Sequence, residues 1–293
     1  MKAKTVAASW LIAFNVGALA QEPAAETPAP AQPAEMKPAE TQPAEPKPAE
    51  LTVEQIVNKA NEVAYYAGDD GIAQVEMTIT GKDGVERTRK FTILRKDFEG
   101  GDQKFYVYFK EPADLYKQIY RVWKKVGDDQ QDERELFIPS LNKPRPIAPG
   151  DKRTSFAGSD FVYEDVSGRN LKEDQHELIE TTETHYIIKN TPVKPDDVEF
   201  SYYTIKIDKT TFMPRLAEYY DKQGKLYRTV EGAKVETIKT FPTVTESVVK
   251  DLKSGSTTVN KFVSVEYDVG LNERIFEIGN DRFLNRPPRE ATR

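Results

Sequence analysis

The sequence predicts a mainly β protein of the α+β class, a curved antiparallel sheet with one helix at its start. Three observations carry that expectation. From residue 72 onward, apolar residues recur at every second position in short runs. Gly, Asp and Lys turns interrupt these runs roughly every eight to twelve residues, as in antiparallel strands. Several runs are also apolar on both faces, as at Phe105–Phe109. A sheet with one wet face would alternate more cleanly; the pattern suits a helix on one face with a cavity or a second layer beyond, and a plain β-sandwich has the same signature.

The helix is expected over 51–65. Thr52 and Gln55 stand in capping-box spacing, and Val53, Ile56, Val57, Ala60, Val63 and Ala64 share one face. The first strand covers 72–80, and Gly81-Lys82-Asp83-Gly84 turns it into a second over 85–96. Strands follow over 104–110, 119–126 and 133–138. After a central irregular stretch they resume over 176–180, 184–190, 202–208, 215–220 and 226–235. Residues 237–239, 243–251 and 257–267 complete the meander, and 272–278 reads as a terminal helix or strand. Helix is expected only at the start and in the central stretch.

That central stretch, 134–166, reads RELFIPSLNKPRPIAPGDKRTSFAGSDFVYEDV. A short apolar strand ends at Pro139, a loop rich in Pro, Lys and Arg follows, and Phe156, Phe161 and Tyr163 come after it. Loops stay polar because their backbone must be solvated. Aromatics in this one need an apolar place to go, so it reads as a lid or plug over a cavity.

The beginning of the chain points to export. Lys2 and Lys4 precede a mostly apolar run over 6–16, and Gly17-Ala18-Leu19-Ala20 supplies small residues for a cleavage site. The run is shorter than the roughly 20 residues of a membrane span. Residues 1–20 are thus expected to be a cleavable signal peptide. Residues 21–50 repeat Pro-Ala-Glu in a five-residue beat, which forbids helix and sheet and makes an extended, disordered linker. Residues 51–293 remain as one binding domain. There is no Cys, hence no disulfide framework and no lipid-bearing cysteine after the signal. A disulfide-free exported protein suits a periplasm.

The formal net charge is −6. Six Glu and two Lys lie in the linker, so the expected domain is only mildly acidic. Nucleic-acid binding normally leaves a basic footprint, and none is present. With two His and no Cys, a zinc site of the usual kind is not expected, nor is any other cofactor. Both His176 and His185 are placed on strand surfaces. The acidic run from Asp128 to Glu133 lacks the Gly and spacing of a calcium loop. Asp160, Glu164 and Asp165 could form a carboxylate site, but beside Phe161 and Tyr163 they read as the polar face of the lid, paired with Arg145 or Arg153. No phosphate loop, nucleophile elbow or HExxH motif appears, so the chain is read as a non-enzyme.

The central stretch resembles the LolA-like group of periplasmic outer-membrane lipoprotein-sorting proteins. Phe156, Gly158, Ser159, Asp160, Phe161, Tyr163, Glu164 and Asp165 match their F-x-G-S/T-D-F-x-Y-E-D pattern, after a strand ending Leu136-Phe137-Ile138-Pro139. Residues 219–225 and 254–258 are similar to the family's closing hairpins. Two positions depart: Glu135 stands where Trp is usual, which would thin the apolar lining at the cavity mouth, and Pro146 replaces a basic residue. The resemblance implies an incomplete antiparallel barrel around an apolar cavity, closed by a helical or loop lid. It implies a monomeric carrier of lipid or of acylated lipoprotein, which works with an inner-membrane exporter of the RND class and an outer-membrane acceptor. The alternative is an accessory subunit of such a complex that carries no cargo.

On that reading Val53, Ile56 and Val57 of the helix, with Met77, Ile79, Phe91, Phe105, Phe109 and Leu136 of the strands, line the cavity. Phe156, Phe161 and Tyr163 belong to the lid. Lys143, Arg145, Lys152 and Arg153 are the candidates for contacting an anionic headgroup or a membrane partner. Period alone does not say which strand face points inward.

Overall fold

The computed structural model describes residues 51–127, 130–277 and 282–293. The signal peptide and linker expected over 1–50 lie outside the described residues, as do Asp128, Asp129 and Ile278. Helix α1, Val53–Tyr65, starts on the expected capping box: Gln55 N donates to Thr52 Oγ1 at 3.2 Å and Thr52 N to Gln55 Oε1 at 2.9 Å. At its other end Arg95 donates to the carbonyls of Tyr65, Ala67 and Gly68 at 2.6–2.7 Å, and Gln103 donates to Tyr65 O at 2.8 Å. Carbonyls left over at a helix end need such donors, and here they come from the sheet, which fixes the helix on it.

Among the described residues thirteen strands form one antiparallel sheet. The first group is β1 Asp70–Thr80, β2 Glu86–Asp97, β3 Gln103–Glu111, β4 Ile119–Lys124, β5 Glu133–Ile138 and β6 Lys143–Pro146. The second is β7 Asp174–Thr181, β8 His185–Pro192, β9 Phe200–Asp208, β10 Pro214–Asp221, β11 Leu226–Ile238, β12 Phe241–Asp251 and β13 Ser256–Tyr267. Their order in space is β6-β5-β4-β3-β2-β1-β13-β12-β11-β10-β9-β8-β7. The chain walks from the centre to one edge, crosses over through residues 147–173, and walks back from the other edge to pair β13 with β1. Two free edges remain, so the barrel is incomplete, as expected.

Three local expectations change. Residues 143–146 are not loop but the edge strand β6, paired with β5 from Glu135↔Pro146 to Ile138↔Lys143. Proline lacks the N–H of a ladder donor, which an edge tolerates and a central strand does not. Residues 237–239 are not separate, since β11 runs unbroken to Ile238 before turning. Helix also occurs near the C-terminus, in α3 Arg282–Asn285 and α4 Arg289–Thr292.

The two apolar faces of the first six strands now have separate reasons. Val75, Met77, Phe91, Phe105, Phe109 and Tyr120 form the inner face. Ile72, Leu94, Tyr106 and Tyr108 form the outer face, covered by Leu271, Ile275, Phe276 and Leu284 of the C-terminal segment. Buried Asp70 holds that cover, accepting from Val269 N at 2.7 Å and Leu271 N at 2.6 Å. Tyr106 adds a bond from its hydroxyl to Phe283 O at 2.7 Å. On the other side of the sheet α1 lays Ile56, Val57 and Ala60 against Ile188 of β8 and Ile207 of β9.

Candidate functional site

The crossover lies against the inner face, where the sequence motif becomes a latched plug. The turn at its head is closed by Phe156 N to Phe161 O at 2.8 Å and Ser159 N to Phe156 O at 3.0 Å. Gly158 sits at φ +72°, a conformation that favours glycine. A helix of one turn, α2 Tyr163–Ser167, follows, with Asp165 accepting from Val162 N at 2.8 Å. Gly168 at φ +75° then passes directly under the Tyr65 ring of α1, where a Cβ would stand 2.4 Å from the ring.

Phe156 is 2 % exposed and meets Phe91, Phe109, Tyr120 and Tyr163 at ring separations of 5.5–5.8 Å. Each of the three motif acids ties the plug to something else. Asp160 accepts from the hydroxyls of Ser256 and of Thr258, the latter at 2.7 Å, while Thr258 Oγ1 accepts from Asp160 N at 3.0 Å. Asp165 pairs with Arg228 of β11. Glu164, 2 % exposed, lies between Lys152 at 2.9 Å, Arg153 at 3.1 Å and Arg169 at 3.2 Å. Burial alone would push its carboxyl up, but the three cations overcome that and hold it at about 2.

Strand register lines up a polar row beside this latch. His176, Asn190, Tyr203, Tyr219 and Arg228 are successive cross-strand partners from β7 to β11. Tyr203 and Tyr219 stack at 4.8 Å, and Arg153 lies 5.1 Å from the Tyr219 ring. Tyr203 donates to Asp174 at 3.0 Å, and Asp174 accepts from Arg169 at 2.8 Å. Burial pushes both phenols upward.

Between α1, the plug and the inner face lies a cavity of about 440 Å³, within the range of about 300–1,000 Å³ usual for ligand sites. Ala60, Ala64, Ile93, Ile205, Val230 and Phe262 supply apolar wall; Glu164, Arg169 and Tyr219 supply a polar one. Of the residues expected from sequence, Val57, Phe91, Phe105, Phe156 and Phe161 line it. Met77, Ile79, Phe109, Leu136 and Tyr163 instead belong to the solid core around Phe156. Ile56 is buried under α1, and Val53 faces an adjoining cavity.

The basic residues also divide. Lys143 and Arg145 are exposed on β6. The side chains of Lys152 and Arg153 are 13 % and 6 % exposed and are held by Glu164, Glu173 and Glu199. Both cations are thus engaged by carboxylates within the fold. Glu135 of β5 lies opposite Arg121 of β4, with which it pairs, on the face covered by the C-terminal segment, away from the cavity. His176 is half-buried: its ring bonds Asn190 Oδ1 at 2.7 Å and Leu171 O at 3.0 Å, and it borders the cavity. The polar row escaped the sequence reading because its members are scattered singly over five strands. Only the register brings them together.

Known proteins share this architecture. A DUF1329 family protein from Desulfovibrio piger has 29% identity and a TM-score of 0.70, covering 78% of this chain and 98% of its own. A domain provisionally described as an outer membrane lipoprotein-sorting protein, from Vibrio parahaemolyticus, has 21% identity and a TM-score of 0.69, covering 79% and 97%. A LolA superfamily protein from Nitrosomonas europaea has 20% identity and a TM-score of 0.61, covering 78% and 99%. No curated protein matches the chain. A family described as uncharacterized proteins matches residues 101–281. The fold is that of the LolA superfamily, the resemblance expected from the motif.

Proposed function

The chain belongs to that family of uncharacterized proteins, and from this premise we propose that it is a periplasmic, non-enzymatic carrier of lipids or of lipoprotein acyl chains. On this reading residues 1–20 are the signal, 21–50 the linker and 51–293 the binding domain. The observation that carries it is the cavity of about 440 Å³ walled by Phe91, Phe105 and Phe161. A sixteen-carbon chain exposes methylenes to water at ~0.8 kcal/mol each, on the order of 12 kcal/mol in all. Burial in such a cavity offsets most of that. The three motif acids support a binder rather than a catalyst, because each is engaged in holding the plug. Delivery towards an outer-membrane acceptor, from an exporter of the RND class, completes the proposed route.

The test is purification from the periplasm, solvent extraction and mass spectrometry, with uptake of a fluorescent acyl probe by the stripped protein. Co-purified lipid and saturable probe uptake are expected. Recovery of no lipid together with no uptake would overturn the carrier and favour an accessory subunit without cargo.

A further inference from the structure

Among the described residues five cations are buried as whole residues: Arg95, Arg121, Lys124, Arg134 and Arg228. Four of them pair with a carboxylate, respectively Asp97 at 2.8 Å, Glu135, Asp132 at 2.7 Å and Asp165. Lys124 differs. Among the described residues no carboxylate lies within ion-pair distance of it; Nζ donates to Ser167 O at 2.8 Å and stands 4.8 Å from the Tyr65 ring centroid. An ammonium has three donors, and a neutral carbonyl occupies one. Asp132, Glu164 and Glu173 act on it only from beyond ion-pair distance, and a buried charge gains most from a counter-charge in contact, so this position has room for an anion. Burial already draws the group down to about 8.

Lys124 does not face solid protein. It lines a second cavity of about 540 Å³, bounded by α1 and the segment around Leu171. Val57, Asn61, Leu171 and His176 border both cavities, so the two adjoin. Its mouth carries Asn58, Asn61 and Asn170, with Glu54 exposed on the rim. The apolar chamber thus adjoins a second one, lined by an ammonium that has no carboxylate at ion-pair distance among the described residues.

We infer that Lys124 anchors the acidic end, a carboxylate or phosphate, of a ligand whose acyl chain occupies the adjoining apolar cavity walled by Phe91, Phe105 and Phe161. The inference rests on the carrier reading and narrows it to anionic amphiphiles.

The test compares hexadecanoate, its methyl ester and inorganic phosphate on the delipidated protein at pH 7, by calorimetry or probe displacement. The wild type is expected to prefer the acid over the ester by about tenfold or more, as for hydrogen bonds to charged groups. Lys124→Met brings the two affinities together, while Lys124→Arg keeps part of the preference; circular dichroism and the melting temperature establish that both variants fold. Binding of both probes with no preference in the wild type, or a preference that survives Lys124→Met, overturns the anchor and leaves the carrier standing. Binding of neither chain overturns the carrier itself. Inorganic phosphate bound as tightly as hexadecanoate, with the same dependence on Lys124, would mean a free-anion site and overturn the chain-linked assignment.

Discussion

The two wings of the sheet meet the same crossover in opposite ways. In the β1–β6 wing the plug drives Phe156 into a ring of aromatic side chains, and the outer face is covered as well by the C-terminal segment. In the β7–β13 wing the crossover touches the strands through Asp165 on Arg228, Arg169 on Asp174 and Arg153 over the Tyr219 ring, and a cavity remains between strands and helix. On the opposite face of this wing Tyr202 and Tyr220 stack at 4.6 Å and stay only half-buried. One segment is therefore a wedge on one side and a wall on the other. Stability is concentrated where packing is complete, and capacity for a ligand where it is not.

The largest expected effect tests the wedge. Phe156→Ala removes a ring in contact with four others and should lower the unfolding free energy by ~3–5 kcal/mol, measured by urea denaturation. A loss below ~1 kcal/mol would mean that the aromatic core does not hold the plug.

The next tests the wall. Glu164 ordinarily titrates near 4.5 and is held at about 2 in the fold. A lowered carboxyl stabilises above its unfolded value and loses that contribution as pH falls through the folded one. The share at neutral pH is on the order of 3 kcal/mol, fading between about pH 4.5 and pH 2. Glu164→Gln should reduce stability at pH 7 by a similar amount and flatten the acid limb of a melting-temperature profile. An unchanged acid limb would remove Glu164 from the latch.

The smallest effect on stability sharpens the contrast most. Ala73 of β1 borders the cavity, and Ala73→Leu adds volume where space exists. Melting should move by the equivalent of ~1 kcal/mol or less, while uptake of an acyl probe falls several-fold. A variant that binds as before would show that the chain lies elsewhere.

Sequence periodicity resolved most of the architecture because local rules determine it. The capping box at Thr52, the alternation through Phe105 to Phe109 and the Gly81–Gly84 turn each act within a few residues. The lid was legible for a similar reason, since aromatics in a loop require burial. Period could not divide Phe109, which is core alone, from Phe105, which also lines the cavity, because both demand the same side-chain chemistry. The pairing of Arg153 with a motif acid was legible, but not that of Lys152 with Glu164, since its partner depends on where the crossover lands. The edge strand β6 was hidden by Pro144 and Pro146, which normally end strands and are tolerated only at an edge.

The pairing of β1 with β13 has a further consequence, for the order of assembly. Every other strand pair in the sheet joins neighbours in sequence, so each wing can grow as a run of hairpins. The β1–β13 seam alone joins residues from opposite ends of the domain, Gly71 opposite Tyr267. Closing it carries the greatest loop entropy of any pair in the sheet. It is also where Asp160 reaches Ser256 and Thr258 of β13 from a plug whose other end is sunk in the β1–β6 wing. The crossover thus staples the costliest join in the fold, and the chamber beside it exists only once that join is made.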